Sequence, residues 1–95
     1  MNGFAISFDM DIALLKEHYG EPYNPAYAEI RSSLTNDGFF WFQGSTYMSG
    51  STDMVILVRA ITNLKKLDWF RKSVRDIRAF KVQDWSDFTN FVKNE

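Results

Sequence analysis

Residues 4–11 read FAISFDMD, and this stretch decides the fold that the rest of the chain completes. It is an apolar, β-favouring run that stops at the carboxylate of Asp9, which predicts a central strand covered on both faces. Side chains at such strand ends are held by a rigid sheet and still reach solvent, so functional sites often form there. We expect Asp11 to cap the following helix. For Asp9 the sequence leaves a cap and a site role open.

The composition predicts one ordered domain spanning residues 1–95. The chain is 45% hydrophobic and 17% aromatic, which is enough apolar surface for one core and too little length for two. It contains no cysteine, which excludes disulfide frameworks, zinc–cysteine sites and thiol nucleophiles. No run approaches the ~20 apolar residues that span a bilayer, and the N-terminus lacks the pattern of a signal peptide. A cytoplasmic protein without membrane association is therefore expected.

Charge is unevenly distributed along a chain whose net charge is only −1. Residues 1–47 carry two basic and six acidic side chains, whereas residues 48–95 carry nine basic and six acidic ones. A locally basic surface can attract phosphates even on a near-neutral protein. The alternative is an ordinary solvated helix face.

The order of apolar patterns and turn signals predicts strands and helices in the sequence βαββαβ, followed by a terminal helix. Helical patterns cover residues 11–19 and 24–36, with a kink at residues 22–25, and then residues 54–67, 68–70 and 86–92. Strand patterns cover residues 4–8, 39–42, 45–48 and 73–82. This is the ferredoxin-like split βαβ arrangement, an α+β fold.

Three finer expectations follow from periodicity. The aromatic strand at residues 39–42 should be covered on both faces, by the core or by an interface. The helix at residues 54–67 should turn one apolar face to the sheet, formed by Met54, Leu57, Val58, Ile61 and Leu64. The strand at residues 73–82 should lie near an edge, with one face formed by Val74, Asp76, Arg78, Phe80 and Val82.

A series of motifs in a fixed order resembles the virulence-associated protein D (VapD) family of bacteria. The series comprises Phe8-Asp9, GEPYN at residues 20–24, Gly38-Phe39, WFQGS at residues 41–45, Trp69-Phe70 and VRDIRAF at residues 74–80. Each motif is weak alone, but together they cover nearly the whole chain. The resemblance implies a ferredoxin-like homodimer, similar to the small CRISPR-associated nuclease. It also implies an endoribonuclease, and in some members a toxin that pairs with a protein antitoxin.

The resemblance also assigns roles to residues of this chain. It implies that Asp9, Ser45 and Asp76 are catalytic, and it links Leu15 to activity, more as support than as chemistry. The related nucleases place two copies of the strand-end aspartate across the dimer axis, so Asp9 of both subunits is expected there.

The residue types themselves favour carboxylate chemistry. With one histidine and no cysteine, acid–base cleavage by side chains has few other candidates. A carboxylate such as Asp9 can hold Mg²⁺, which polarises a phosphate and lowers the pKa of bound water. Arg75 and Arg78 can contact the RNA backbone, because guanidinium matches phosphate geometry. Alternatively, Asp76 pairs with a neighbouring arginine, and the chain is a non-catalytic dimeric module that binds RNA or an antitoxin.

Overall fold

The computed structural model describes residues 2–94 and contains the predicted order of elements within them. The two ends of the predicted domain, residues 1 and 95, lie outside the described residues. The elements are β1 (Gly3–Met10), α1 (Ile12–His18), α2 (Asn24–Asn36), β2 (Phe40–Gln43), β3 (Thr46–Ser49), α3 (Met54–Lys65), α4 (Asp68–Ser73), β4 (Val74–Val82) and α5 (Thr89–Lys93).

The four strands form one antiparallel sheet in the order β2-β3-β1-β4. This is the strand order of the ferredoxin-like fold, which confirms the predicted α+β class. The opening apolar run is a central strand, as predicted, and β4 lies at an edge. β1 pairs with β3 as far as Ser7 and with β4 along its whole length, so Asp9 near its end is fixed by the ladder with β4.

One face of the sheet carries the core. Alternate residues of β1 point to it, and they pack against buried side chains from the helices. The strand contributes Phe4, Ile6, Phe8 and Met10, and the helices contribute Leu15, Ala26, Ile30, Leu34, Leu57, Ala60, Leu64 and Phe70. Each fully buried large apolar side chain stabilises the fold by roughly 1.5–3 kcal/mol. This layer holds the sheet rigid beneath the opposite face.

The opposite face carries an apolar row that crosses all four strands. Phe40 pairs with Met48, Met48 with Ala5, and Ala5 with Phe80, and directly opposed residues of antiparallel strands share a face. Met48 and Ala5 are buried, but Phe40 and Phe80 at the two edges are 42% and 50% exposed. Trp41, on the core side of β2, is also 48% exposed. One chain therefore leaves both faces of β2 partly uncovered, because β2 is a short edge strand. Cover of these rings by an interface stays a prediction.

Helix α3 packs through a narrower stripe than its apolar pattern predicts. Leu57, Ala60 and Leu64 are buried, whereas Met54 and Val58 are exposed. The small side chain of Ala60 lies on the buried line, which lets the helix approach its neighbours there. The prediction that Met54 and Val58 face the core is wrong.

A β-bulge changes the predicted alternation of β4. Asp9 pairs with Asp76, but the next residue of β1, Met10, pairs with Val74, so Arg75 is an extra residue on its strand. Val74 and Ile77 both pack against the core, although they are three positions apart and an unbroken strand would point them to opposite faces. The prediction that Val74 and Asp76 share a face is therefore wrong. Bulges of this kind re-aim side chains beside functional sites.

The segment after β4 crosses the sheet from one edge to the other. Trp85 lies three residues beyond the end of β4, yet its ring packs against Phe42 of β2 with a centroid distance of 5.1 Å. Beyond it, α5 buries no side chain, and Phe88, Phe91 and Val92 are exposed. Across residues 2–94, no helix has the length and apolar character needed to span a bilayer.

Candidate active site

Two aspartates occupy directly opposed positions of neighbouring strands at one end of the sheet. Asp9 is the next-to-last residue of β1, and its partner in the ladder is Asp76 of β4. Opposed residues of antiparallel strands have Cβ atoms about 5 Å apart on the same face. Like charges in this position repel each other, so the pair needs cations nearby. The predicted residues Asp9 and Asp76 are therefore brought together by strand register.

Each carboxylate has its own arginine. Nη1 of Arg75 lies 3.4 Å from Oδ2 of Asp9, and Nε of Arg78 donates to both oxygens of Asp76 at 3.0 and 3.2 Å. The pairing of Asp76 with a neighbouring arginine, left open by the sequence, is thus present. The contact of Arg75 with Asp9 is longer than the ~2.8 Å of a good charge-assisted bond. The side chain of Asp9 is 62% exposed, so this carboxylate is accessible and only loosely held.

Asp11 adds a third carboxylate to this cluster. Its Oδ1 accepts from the backbone N–H of Leu14 at 3.1 Å, which confirms the predicted helix cap. Its Oδ2 lies 3.8 Å from Nη2 of Arg75. The guanidinium of Arg75 therefore bridges Asp9 and Asp11. The bulge explains this position, because the extra residue of β4 lies between the pairs formed by Asp9 and Met10.

Ser45 and Leu15 take different positions relative to this cluster. The carbonyl of Ser45 accepts from the N–H of Phe8 at 3.1 Å, so the β2–β3 turn adjoins the residue that precedes Asp9. Leu15 is 0% exposed and belongs to the core. It does not reach the cluster surface. It is also the only buried side chain of α1, whose capping residue is Asp11, and this arrangement suits a supporting role.

The acidic residues of a single chain do not form a metal cage. Among residues 2–94, no three or more histidine, cysteine, aspartate or glutamate side chains are grouped closely enough to hold an ion. Mg²⁺ usually binds through one or two carboxylates together with substrate phosphate and water. Asp9 fits the role of one such ligand, since its carboxylate is exposed. Substrate phosphate and water can complete the coordination of an ion held by this one carboxylate.

Sequence reasoning missed a groove that adjoins this cluster. Tyr27 and Arg31 lie four residues apart on α2 and line it together with Phe8. Partial burial raises the pKa of the Tyr27 hydroxyl, and the charges of Tyr23 and Asp9 raise it further. Asp9 is therefore within electrostatic range of the groove. The spacing of Tyr27 and Arg31 was the available signal, because residues four apart share a helix face.

Fold and site together define a small ferredoxin-like α+β protein with an exposed carboxylate–guanidinium cluster at a strand end. No family model matches the chain. Endoribonuclease VapD of Dichelobacter nodosus is 60% identical over 90 residues, covering 95% of this chain and 97% of that protein. Endoribonuclease VapD of Helicobacter pylori is 50% identical over 93 residues, covering 96% and 99%. Endoribonuclease VapD 1 of Riemerella anatipestifer is 50% identical over 86 residues, covering 90% and 97%. The chain belongs to the VapD family, which confirms the resemblance.

Proposed function

We propose that this chain is an endoribonuclease that hydrolyses RNA phosphodiester bonds at the cluster around Asp9. The observation that carries the proposal is the register of β1 and β4, which sets Asp9 beside Asp76 with an arginine at each carboxylate. Family membership supports it, since the relatives are named endoribonucleases. Carboxylates paired with guanidinium groups combine a proton acceptor with a binder of phosphate.

In the proposed reaction, Asp9 accepts the proton that an attacking water loses. The water oxygen bonds to phosphorus, the bond from phosphorus to the leaving oxygen breaks, and that oxygen takes up a proton from solvent. Arg75 leaves its loose contact with Asp9 and binds the phosphate, where it offsets the charge that develops. The hydroxyl of Ser45 donates to a phosphate oxygen. Asp76 holds Arg78 on the same sheet face, so that Arg78 contacts the RNA backbone.

Mg²⁺ is part of the proposal, with Asp9 as its protein ligand. When bound, it would polarise the phosphate and lower the pKa of a bound water. The exposed carboxylate of Asp9 supplies one ligand, and the second is assigned to Asp9 of another copy, related to the first by a two-fold axis. Two such carboxylates facing each other also repel unless a cation or proton lies between them.

We further propose that the working form is a homodimer built on the sheet face opposite the core, which we call the open face because its edge residues Phe40 and Phe80 stay exposed although Ala5 and Met48 between them are buried. The apolar row from Phe40 to Phe80 leaves two aromatic rings exposed in one chain, and a second copy would cover them. Asp9 lies on the same face, two rows of the ladder beyond Ala5. Pairing of two such faces therefore brings both copies of Asp9 towards one axis.

RNA cleavage by the purified protein tests the proposal, with Mg²⁺ and with a chelator. Cleavage products that form with Mg²⁺ but not with the chelator would support the metal-assisted mechanism. Products that still form with the chelator would support the nuclease assignment but exclude a requirement for the metal. The alternative function is a dimeric module that binds RNA or a protein antitoxin without cutting. RNA binding without products, across varied RNAs and metal ions, would favour that module.

We also propose that the reaction takes place in the cytoplasm, where the RNA substrates of such an enzyme are made. We also propose a protein antitoxin as a partner, on the strength of the family resemblance. Growth arrest on expression of the chain, relieved by coexpression of a protein that binds it, would support this role.

A further inference from the structure

A groove lies between α2 and the β2–β3 turn, beside the carboxylate cluster. Its volume is about 490 Å³, within the range of small-ligand sites. Its walls include Phe8, Tyr27, Arg31, Ser32, Thr35 and Tyr47. Phe8 directly precedes Asp9, and Gly44, which also lines the groove, directly precedes Ser45. Successive strand residues point to opposite faces, so Asp9 lies across β1 from Phe8. Its charge still acts on the hydroxyl of Tyr27 in the groove wall, so the groove lies within reach of the strand end to which the proposed reaction is assigned.

Arg31 differs from the other arginines of the chain in what it contacts. Four of the five arginines each lie within 4 Å of a carboxylate, in the pairs Arg59–Asp37, Arg71–Asp68, Arg75–Asp9 and Arg78–Asp76. Arg31 contacts aromatic side chains instead. Its Nε donates to the hydroxyl of Tyr47 at 3.4 Å, and its guanidinium lies over the ring of Trp41, 5.0 Å from the centroid. This cation thus keeps a positive charge that none of the carboxylates in residues 2–94 neutralises by direct contact.

The surroundings of Arg31 suit a nucleotide. One face of the guanidinium is occupied by the indole of Trp41, and its terminal nitrogens are not used by the bond from Nε. Guanidinium nitrogens bind phosphate oxygens in a planar, two-point geometry. The hydroxyls of Ser32 and Thr35 offer donors and acceptors for a ribose or a phosphate.

The remaining wall is aromatic. Tyr27 is half-buried on α2 and lies four residues before Arg31. Behind it, the rings of Phe8 and Tyr47 are stacked with an interplanar angle of 17° and centroids 6.2 Å apart. An aromatic wall beside a cation is the usual arrangement of single-stranded nucleic-acid sites, where bases stack and phosphates bind arginine.

We propose that this groove binds one nucleotide of a single-stranded RNA, with its phosphate on Arg31 and its base against Tyr27. The inference rests on the proposed endoribonuclease function and names its substrate as unpaired RNA. A nucleotide held here continues towards Asp9 and Ser45, so the groove sets which phosphodiester bond reaches the carboxylate cluster. It acts as a binding subsite and takes no part in the bond-breaking step.

Binding is tested with a fluorescein-labelled single-stranded RNA of about ten nucleotides, measured by anisotropy in protein carrying Asp9→Asn. In that background, Arg31→Gln should weaken binding about tenfold. It should also reduce the slope of log K against log salt by about 0.7, the loss of one single-strand phosphate contact. Tyr27→Leu should weaken binding about tenfold, whereas Tyr27→Phe should bind as the parent does.

Arg59→Gln is the matched control, because it removes the same charge from another exposed position. It should change the affinity less than twofold. Equal affinities for the Arg31→Gln and Arg59→Gln proteins would overturn the subsite, and so would the absence of RNA binding at low salt. Circular dichroism of each variant shows that it is folded.

Cleavage assays separate failure of the subsite from failure of the nuclease. With Asp9 intact, Arg31→Gln should raise KM about tenfold and change kcat little. Unchanged KM in a protein that cleaves RNA would overturn the subsite and leave the nuclease standing. Binding that depends on Arg31 in a protein that cleaves no RNA would leave the subsite standing and remove the nuclease.

Discussion

Replacing Leu15 with alanine should destabilise the fold and, through α1, lower RNA cleavage. Helix α1 has seven residues, too few to persist in water by itself. Leu15 is its only buried side chain, so burial of this side chain is the main apolar contribution of the helix to its docking. The first turn of α1 is capped by Asp11, whose carboxylate approaches Arg75. Loosening the helix therefore moves the cation that faces Asp9.

The size of the effect follows from the burial of Leu15. The side chain is fully buried, and its truncation removes about three methylene-sized groups, worth about 0.8 kcal/mol each. The cavity left behind raises the total loss to about 2–5 kcal/mol. For a domain of this size, 1 kcal/mol shifts Tm by about 4–8 °C. The melting temperature should therefore fall by at least about 8 °C.

Thermal unfolding followed by circular dichroism measures the loss, and RNA cleavage at 15 °C and 37 °C measures its consequence. The volume-conserving Leu15→Met should cost less than about 1.5 kcal/mol and keep cleavage. Leu15→Ala should recover part of its activity at the lower temperature, where more of it is folded. An alanine variant with the parental Tm and no cleavage would refute the supporting role, since Leu15 would then act on the substrate.

Three further outcomes are expected. Gly3→Ala should destabilise the protein by about 3 kcal/mol in a denaturant titration, because its Cβ overlaps the carbonyl oxygen at the end of β3; Gly50→Ala, which meets open space, should have little effect. The hydrogen bond from Lys72 is the largest cause that lowers the pKa of Asp68, so Asp68 stabilises the fold above its unfolded pKa and loses this effect as pH falls through its folded pKa. The Tm of Asp68→Asn should accordingly lie slightly below that of the parent at pH 6 and approach it as the pH falls through the folded pKa of Asp68, and a gap that stays constant as the solution is acidified would contradict this. Phe80→Glu on the open face should shift the mass in light scattering from dimer to monomer without loss of helix content, and an unchanged dimer would exclude that interface.

Local chemistry made much of the fold predictable. An apolar run that ends in a carboxylate is enough to identify a central strand and an exposed aspartate, because both depend on adjacent residues. The cap at Asp11 was predicted for the same reason, and its side chain accepts from the backbone N–H of Leu14 at 3.1 Å. Leu15 is buried in the core, as its residue type suggests, and its supporting role, which the resemblance implied, stays a prediction.

Features that depend on distant residues could not be predicted in this way. The position of Val74 was wrong because the alternation rule assumes an unbroken ladder, and the bulge opposite Asp9 depends on pairing across the sheet. The predicted burial of Met54 and Val58 was wrong because periodicity defines an apolar face but not which part of that face contacts the sheet. The contact between Arg31 and Trp41 joins a helix to an edge strand, so the groove appears only in the folded chain.

Single-turnover RNA cleavage by Asp9→Asn, beside Asp53→Asn, tests the role of Asp9 most directly. Both variants lose one negative charge, and asparagine caps a helix as well as aspartate does, so α3 stays capped in the control. Asp9→Asn should cleave at least about 100-fold more slowly than the parent, while Asp53→Asn should cleave at the parental rate. Cleavage by Asp9→Asn within twofold of the parent, in nuclease-free preparations, would contradict a reaction centred on Asp9.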